Sequence, residues 1–209
     1  MSARLVAAAG ALIGAFGLGL QYWLLVTDML AEGATPLEAT WRYFAYFTIL
    51  TNSLVTLVMA RAALRPDSLV GLNAPRVELM AVTSIAFVGI VYNLLLASRW
   101  DPQGWLKLAD VIVHDVIPVV FLLFWLLRSH RDLQWRDAAF AALWPLAYAI
   151  YGLSRGAFDG FYPYFFMDPT AAPLSQIALN LLGLVTAFIL GALLFIGISR
   201  MRMRVQPQI

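Results

Sequence analysis

Hydrophobic positions in this chain come in long unbroken runs, not in alternation with polar ones. Residues 5–27, 43–60, 79–98, 138–154 and 169–199 contain no charged side chain. Each run is close to, or longer than, the roughly 20 residues that a helix needs to cross a bilayer. A further run, 116–127, is too short alone and becomes a span only if it extends back to about Leu108. That extension draws Asp110, His114 and Asp115 to membrane depth. The pattern predicts helices over about 5–27, 43–62, 78–98, 108–128, 137–155 and 174–199. Together they form one all-α, six-helix transmembrane domain covering residues 1–209. Pro- and Gly-bearing connections fall where turns are required, at 31–40, 65–75, 100–104 and 156–173. The last of these, rich in Phe and Tyr, is expected to lie in the headgroup region or to fold over a pocket.

Composition agrees with lipid as the solvent. Of 209 residues, 62% are hydrophobic and 12% charged, and the mean hydropathy is +0.79. A soluble globular chain carries about 25% charged residues. The first run exceeds the apolar core of a secretory signal, and no small-residue cleavage pattern follows it, so it reads as the first helix. The absence of cysteine excludes disulfides, thiolate chemistry and cysteine-bound metals.

A sequence pI of about 9.1 raises the question of nucleic acid, and the placement of the basic residues answers it. Arg4, Arg61, Arg65, Arg76, Arg128, Arg131, Arg136, Arg200, Arg202 and Arg204 fall on one side of the predicted membrane, ten of the 14 basic residues. Arg42, Arg99, Lys107 and Arg155 fall on the other. By the positive-inside rule both termini are cytoplasmic, and the basic residues are topology signals that meet membrane lipid, not nucleic acid. Thirteen arginines to one lysine, with abundant alanine, suggest a bacterial inner membrane.

Within that topology, polar side chains gather in the outer half of the membrane. At 1.5 Å per residue, Thr48 lies roughly 10 Å in from the outer end of the second helix, and His114 at a comparable depth on the fourth. Tyr92 and Asn93 on the third helix, and Tyr151 and Ser154 on the fifth, come to the same level. Thr48, Thr51 and Asn52 share one helix face, and so do Asp110, His114 and Pro118. Asp110 or Asp115 is placed to orient the imidazole. Singly, a membrane Thr reads most simply as a hydroxyl bonded to its own helix, and Asn52 and Asn93 as interhelical glue. Ionisable groups at membrane depth, by contrast, usually face a wet cavity.

Two apparent motifs mislead. Gly152-Leu153-Ser154-Arg155-Gly156 matches G-x-S-x-G but ends a membrane helix with no strand before it, so the nucleophile-elbow context is missing. Only His114 and His130 exist, the latter in a predicted cytoplasmic loop, so no His-rich catalytic zinc site can be built. No metal and no cofactor are expected.

A hydroxyl and a histidine at matched depth on two helices are the essential parts of nucleophilic acyl transfer. Asn52, Asn93, Tyr92 and Tyr151 are candidates for the oxyanion donors, with Thr51, Ser154 and Tyr162 as further cavity candidates. The segments "RYFAYFTILTN", "HDVIP" and "YPYFFMDP" resemble the androgen-induced protein family. That family includes the androgen-dependent TFPI-regulating protein and bacterial six-helix relatives. The resemblance implies a membrane threonine hydrolase of fatty acid esters of hydroxy fatty acids, with Thr48 as nucleophile and His114 as base. The His-to-Pro spacing in "HDVIP" is one residue shorter than in animal members, and Thr51 is the rival nucleophile. The expected function is therefore hydrolysis of a lipid or fatty-acyl ester in an outer-leaflet cavity. The alternative is a non-enzymatic protein that binds or transports a lipid or small ligand with the same residues.

Overall fold

Every regular element among the described residues of the computed structural model (2–128, 130 and 132–205) is helical. Helix α1 runs from Ala3 to Ala31, α2 from Pro36 to Tyr43, α3 from Phe47 to Leu64 and α4 from Pro75 to Val91. A π turn, Tyr92–Leu96, and a 3₁₀ turn, Ala97–Arg99, prolong α4. Helix α5, Gly104–Val111, continues through a π turn, Ile112–Val116, into α6, Ile117–Leu127. The chain closes with α7 (Asp137–Ala141), α8 (Leu143–Asp159) and α9 (Leu174–Val205). Of the basic residues assigned to one side, Arg131 and the side chain of Arg204 lie outside the described residues.

Five of these segments are long and apolar enough to cross a membrane: Ala3–Ala31, Phe47–Leu64, Pro75–Arg99, Gly104–Leu127 and Leu174–Arg202. The protein thus has the make-up of an integral membrane protein. The segment expected at 137–155 is interrupted at Ala142, and its longer part, α8, has 17 residues and ends with Arg155 and Asp159. The connection expected to begin at Gly156 is still helical to Asp159.

The helix expected over 43–62 also differs. Residues 44–46 break it, and Thr48 sits in the first turn of α3, not a third of the way down a span. The cause lies upstream, in the stretch expected to be a turn. Thr35 caps α2 in a reciprocal box: Glu38 accepts from the Thr35 N–H at 2.7 Å, and the Thr35 hydroxyl accepts from the Glu38 N–H at 3.3 Å. The Thr35 N–H and the Thr35 hydroxyl, which donates to the same Oε2 at 2.7 Å, hold the Glu38 carboxyl below its ordinary range. With Pro36 in its first turn, the short α2 is a separate element with its own entry angle.

Helix α4 is the hub, touching α3, α6, α7, α8 and α9. Beside it α1 approaches α3 and α6 through a stripe of Gly10, Gly14 and Gly17, all buried. A Cβ added at Gly10 would strike Met59, one at Gly14 the Thr56 hydroxyl, and one at Gly17 the side chain of Ile112. Lipid tails are as apolar as the side chains they would replace, so close contact across small residues is what holds such helices together.

The end of the bundle remote from Thr48 is closed by a buried carboxylate. Glu78, 1% exposed, accepts from Asn73 Nδ2 at 3.2 Å, Arg128 Nε at 3.0 Å and His130 Nε2 at 2.8 Å. Arg128 also donates to the carbonyls of Pro66 and Ser68, and the His130 ring stacks on Trp125. Phe121, Phe124, Trp125, Met59, Leu79 and Ile117 are fully buried in the core.

The glycine stripe makes a direct prediction. Gly14→Ala should lower the thermal unfolding temperature in detergent by the equivalent of about 1–3 kcal/mol, the usual penalty for overpacking. Gly19 and Gly183 have open space around the position of a Cβ, so their alanine variants should melt like the wild type.

Candidate functional site

The break before α3 is where the site is made. The first N–H groups of a helix have no partner within it, and no side chain caps α3. The Thr48 N–H instead donates to the Tyr164 hydroxyl at 3.4 Å. Burial pushes that hydroxyl up to about 12, against the opposing hydrogen bonds of Thr48, so it stays a neutral O–H. The carbonyls at the end of α2 are taken by α8: Tyr148 donates to Ala45 O at 2.9 Å and Tyr151 to Phe44 O at 3.1 Å. Trp41 and Arg155 clasp the same two elements, with the indole N–H on Asp159 at 2.6 Å and the guanidinium 4.1 Å above the indole ring.

Opposite Thr48, two π turns face each other, a feature frequent at functional sites. One follows from Pro118, which has no N–H to give. The Ile117 N–H reaches back five residues to Ile112 O, so Val113 O loses the partner that an α-helix would supply. Asn52 Nδ2 replaces it at 3.0 Å and also donates to Thr48 O at 2.9 Å. In the other π turn, Asn93 Nδ2 donates to Gly89 O at 3.0 Å and to Asp115 Oδ1 at 2.8 Å.

Between the two turns the Tyr92 and His114 rings stack, with centroids 3.6 Å apart and planes 9° from parallel. Asp110, 4% exposed, binds both rings. His114 Nδ1 lies 3.0 Å from Oδ1 and 3.0 Å from the Asp110 carbonyl, and the Tyr92 hydroxyl donates to Oδ2 at 2.6 Å. Lys107 Nζ is 3.6 Å from the same Oδ2. With two acceptors on Nδ1, the proton of a neutral imidazole sits there, and Nε2 keeps its lone pair.

Thr48, Tyr92, Asp110 and His114 border one cavity of about 790 Å³ that also reaches Tyr164, Arg99, Gln21 and Asp28. No hydrogen bond joins the Thr48 hydroxyl to His114 across it. The remaining sequence candidates do other work. Thr51 faces α8, where its hydroxyl accepts from Trp144 Nε1 at 3.0 Å. Asn52 and Asn93 hold the π turns, and Asp115 pairs with Asn93 and not with His114. Tyr151 supports the chain break and accepts from Arg155 NH1 at 2.9 Å. Ser154 is exposed and does not line this cavity, and of the two glycines of its motif Gly156 has a packing reason, making room for Tyr162. Among the described residues no three His, Asp or Glu side chains gather as a metal would require. Sequence reasoning missed Tyr164, whose only signal was its place in the aromatic connection.

These roles separate by stability. Thr51→Val and Asn52→Leu should each destabilise the protein by about 1–3 kcal/mol in thermal unfolding, the range for a buried partner left unsatisfied. Thr51→Val should leave the reactivity of the cavity toward an electrophilic probe unchanged.

No protein-family model, curated protein or solved structure matches the chain.

Proposed function

We propose that the protein is an intramembrane hydrolase of lipid esters, with Thr48 as nucleophile, His114 as general base and Asp110 as the residue that orients it. The observation that carries this reading is the Asp110–His114 pair, whose free Nε2 borders the same cavity as the Thr48 hydroxyl. In the first step Nε2 takes the Thr48 proton as Oγ1 bonds to the acyl carbon. The carbon–oxygen bond to the alcohol then breaks, and Nε2 returns the proton to the departing alcohol. Water, deprotonated by the same nitrogen, adds to the acyl-threonine, and the Thr48 oxygen leaves with the proton restored. The Tyr164 O–H supplies charge stabilisation for the oxyanion, aided by the positive end of the α3 dipole.

Labelling of the detergent-solubilised protein with a fluorophosphonate probe tests the assignment. Thr48→Ala and His114→Ala should abolish labelling, Asp110→Asn should slow it about 10²–10⁴-fold, and Ser154→Ala should not affect it. Labelling that survives Thr48→Ala removes the nucleophile from this site.

The missing Thr48–His114 hydrogen bond favours a second reading, a protein that binds or carries a lipid or small ligand in the same cavity. A ligand that copurifies intact, with no ester turned over across a broad acyl panel, would select it.

The same proposal takes α7–α8 as a sixth span, sets both termini in the cytoplasm of a bacterium and opens the cavity to the outer leaflet of the inner membrane. The distribution of arginines supports this arrangement. Because the chain has no cysteine, single cysteines report topology without background. A cysteine replacing Asp101 or Ala171 should react with an impermeant maleimide in right-side-out vesicles. One replacing Ser68 or Asp132 should react only after permeabilisation.

A further inference from the structure

Thr48 borders not one cavity but two, of unequal size, the larger carrying more polar groups. The larger, of about 790 Å³, carries the polar groups described above, with Arg99, Asp28 and Gln21 along its wall. The smaller, of about 80 Å³, shares Thr48, Tyr92, Leu96 and Tyr164 with it and is otherwise lined mostly by apolar side chains of α3, α4, α8, α9 and the turn at Phe166 and Met167. The one further hydroxyl there, on Tyr148, is already committed to Ala45 O. At its far end Phe87 and Phe188 stack at 4.1 Å, with Phe47 edge-on to Phe188 at 6.1 Å. The stack is braced from behind, because Phe87 sits so close to Gly191 that a Cβ there would lie 3.0 Å from the ring.

We propose that the small pocket takes the acyl chain of the ester and the large cavity its alcohol portion, so that Thr48 cleaves esters of a short to medium acyl chain with a large polar alcohol. The inference rests on the hydrolase reading and adds a size limit to it. A water-sized occupant needs about 10–15 Å³ of such volume, so the pocket holds about five to eight methylene-sized groups. With the ester carbon at Thr48, the chain has about six to nine carbons. The stacked phenylalanines set its end. The roughly tenfold larger volume on the other side of Thr48 receives an alcohol with hydrogen-bonding and anionic or hydroxyl groups, for which Arg99, Asp28 and Gln21 are the available partners.

Two measurements test this. The first is kcat/KM for 4-nitrophenyl esters from two to sixteen carbons. It should rise about fourfold per added methylene, the gain from burying one CH₂, peak at about six to nine carbons, and fall beyond. Phe188→Ala should move the peak to longer chains, and Val185→Phe, which fills the pocket, should move it to shorter ones. A peak at sixteen carbons, or one that neither variant moves, overturns the inference while leaving the hydrolase reading intact. The second needs no turnover. An eight-carbon fatty acid with a terminal diazirine, photolysed with His114→Ala protein, should label Phe87, Leu181, Val185 or Phe188. Labels confined to Leu24, Leu25 or Leu106 in the large cavity, or spread over lipid-facing residues, would overturn the inference whether or not any ester is hydrolysed.

Discussion

In hydrocarbon a backbone N–H or C=O without a partner is a heavy penalty, so a membrane segment can be interrupted only where other groups take over the freed hydrogen bonds. The interruption between Tyr43 and Phe47 meets that condition through tyrosines. Tyr148 and Tyr151 of α8 bind the carbonyls of Ala45 and Phe44, Tyr164 accepts the Thr48 N–H, and Tyr43 itself donates to Leu18 O at 2.8 Å. The arrangement of the site depends on this substitution of side-chain for backbone partners. It brings a helix start, with its positive dipole end, to the wall of a cavity. It also explains why the aromatic connection after α8 folds inward instead of lying along a membrane surface.

The π turns do for α4 and α5–α6 what the break does for α3. Each frees carbonyls and rotates the following residues relative to an ideal helix. Each is stabilised by an asparagine, Asn52 for Val113 O and Asn93 for Gly89 O. The outcome is an imidazole fixed on three sides: by a carboxylate, by a backbone carbonyl and by the face of Tyr92. A ring so held contributes one free nitrogen in one direction, which is the condition for a base to act with little reorganisation.

Hydropathy alone made the long helices legible, because lipid demands runs of apolar residues whatever the fold. It also brought Asp110 and His114 together, since an i, i+4 pair on one face needs no tertiary information. What it missed is tertiary in origin. The spacing of Thr48 and Thr51 on one face holds for a continuous helix, but Thr51 turns to Trp144 on a helix some ninety residues away in sequence. The start of α3 was hidden because nothing between Tyr43 and Phe47 breaks a helix by itself. The capping box that fixes α2, Thr35 to Glu38, was readable but lay in a stretch rich enough in Gly and Pro to pass for a turn. Tyr151 and Asn93, expected at the cavity, spend their hydrogen bonds on Phe44 O and Arg155, and on Gly89 O and Asp115. Depth along a helix cannot distinguish a group that faces a cavity from one that holds the chain which makes it.

Helix α1 is held to its neighbours in two different ways along its length. Gly10, Gly14 and Gly17 seat it against α3 and the α5–α6 segment, and no residue of α1 after Gly17 is fully buried. Gln21, Leu24, Leu25, Thr27 and Asp28, which wall the large cavity, all belong to that later stretch. From Gly17 to Asp28 the helix extends about 16 Å, at 1.5 Å per residue. Over that distance the contacts are those of ring and hydroxyl: Tyr22 shares a hydrogen bond with Thr40 at 2.9 Å and meets the edge of Tyr43, whose own hydroxyl donates to Leu18 O. This wall of the cavity is thus held through hydroxyl groups, whose bonds a polar occupant competes for, and not through the steric fit that holds the other half.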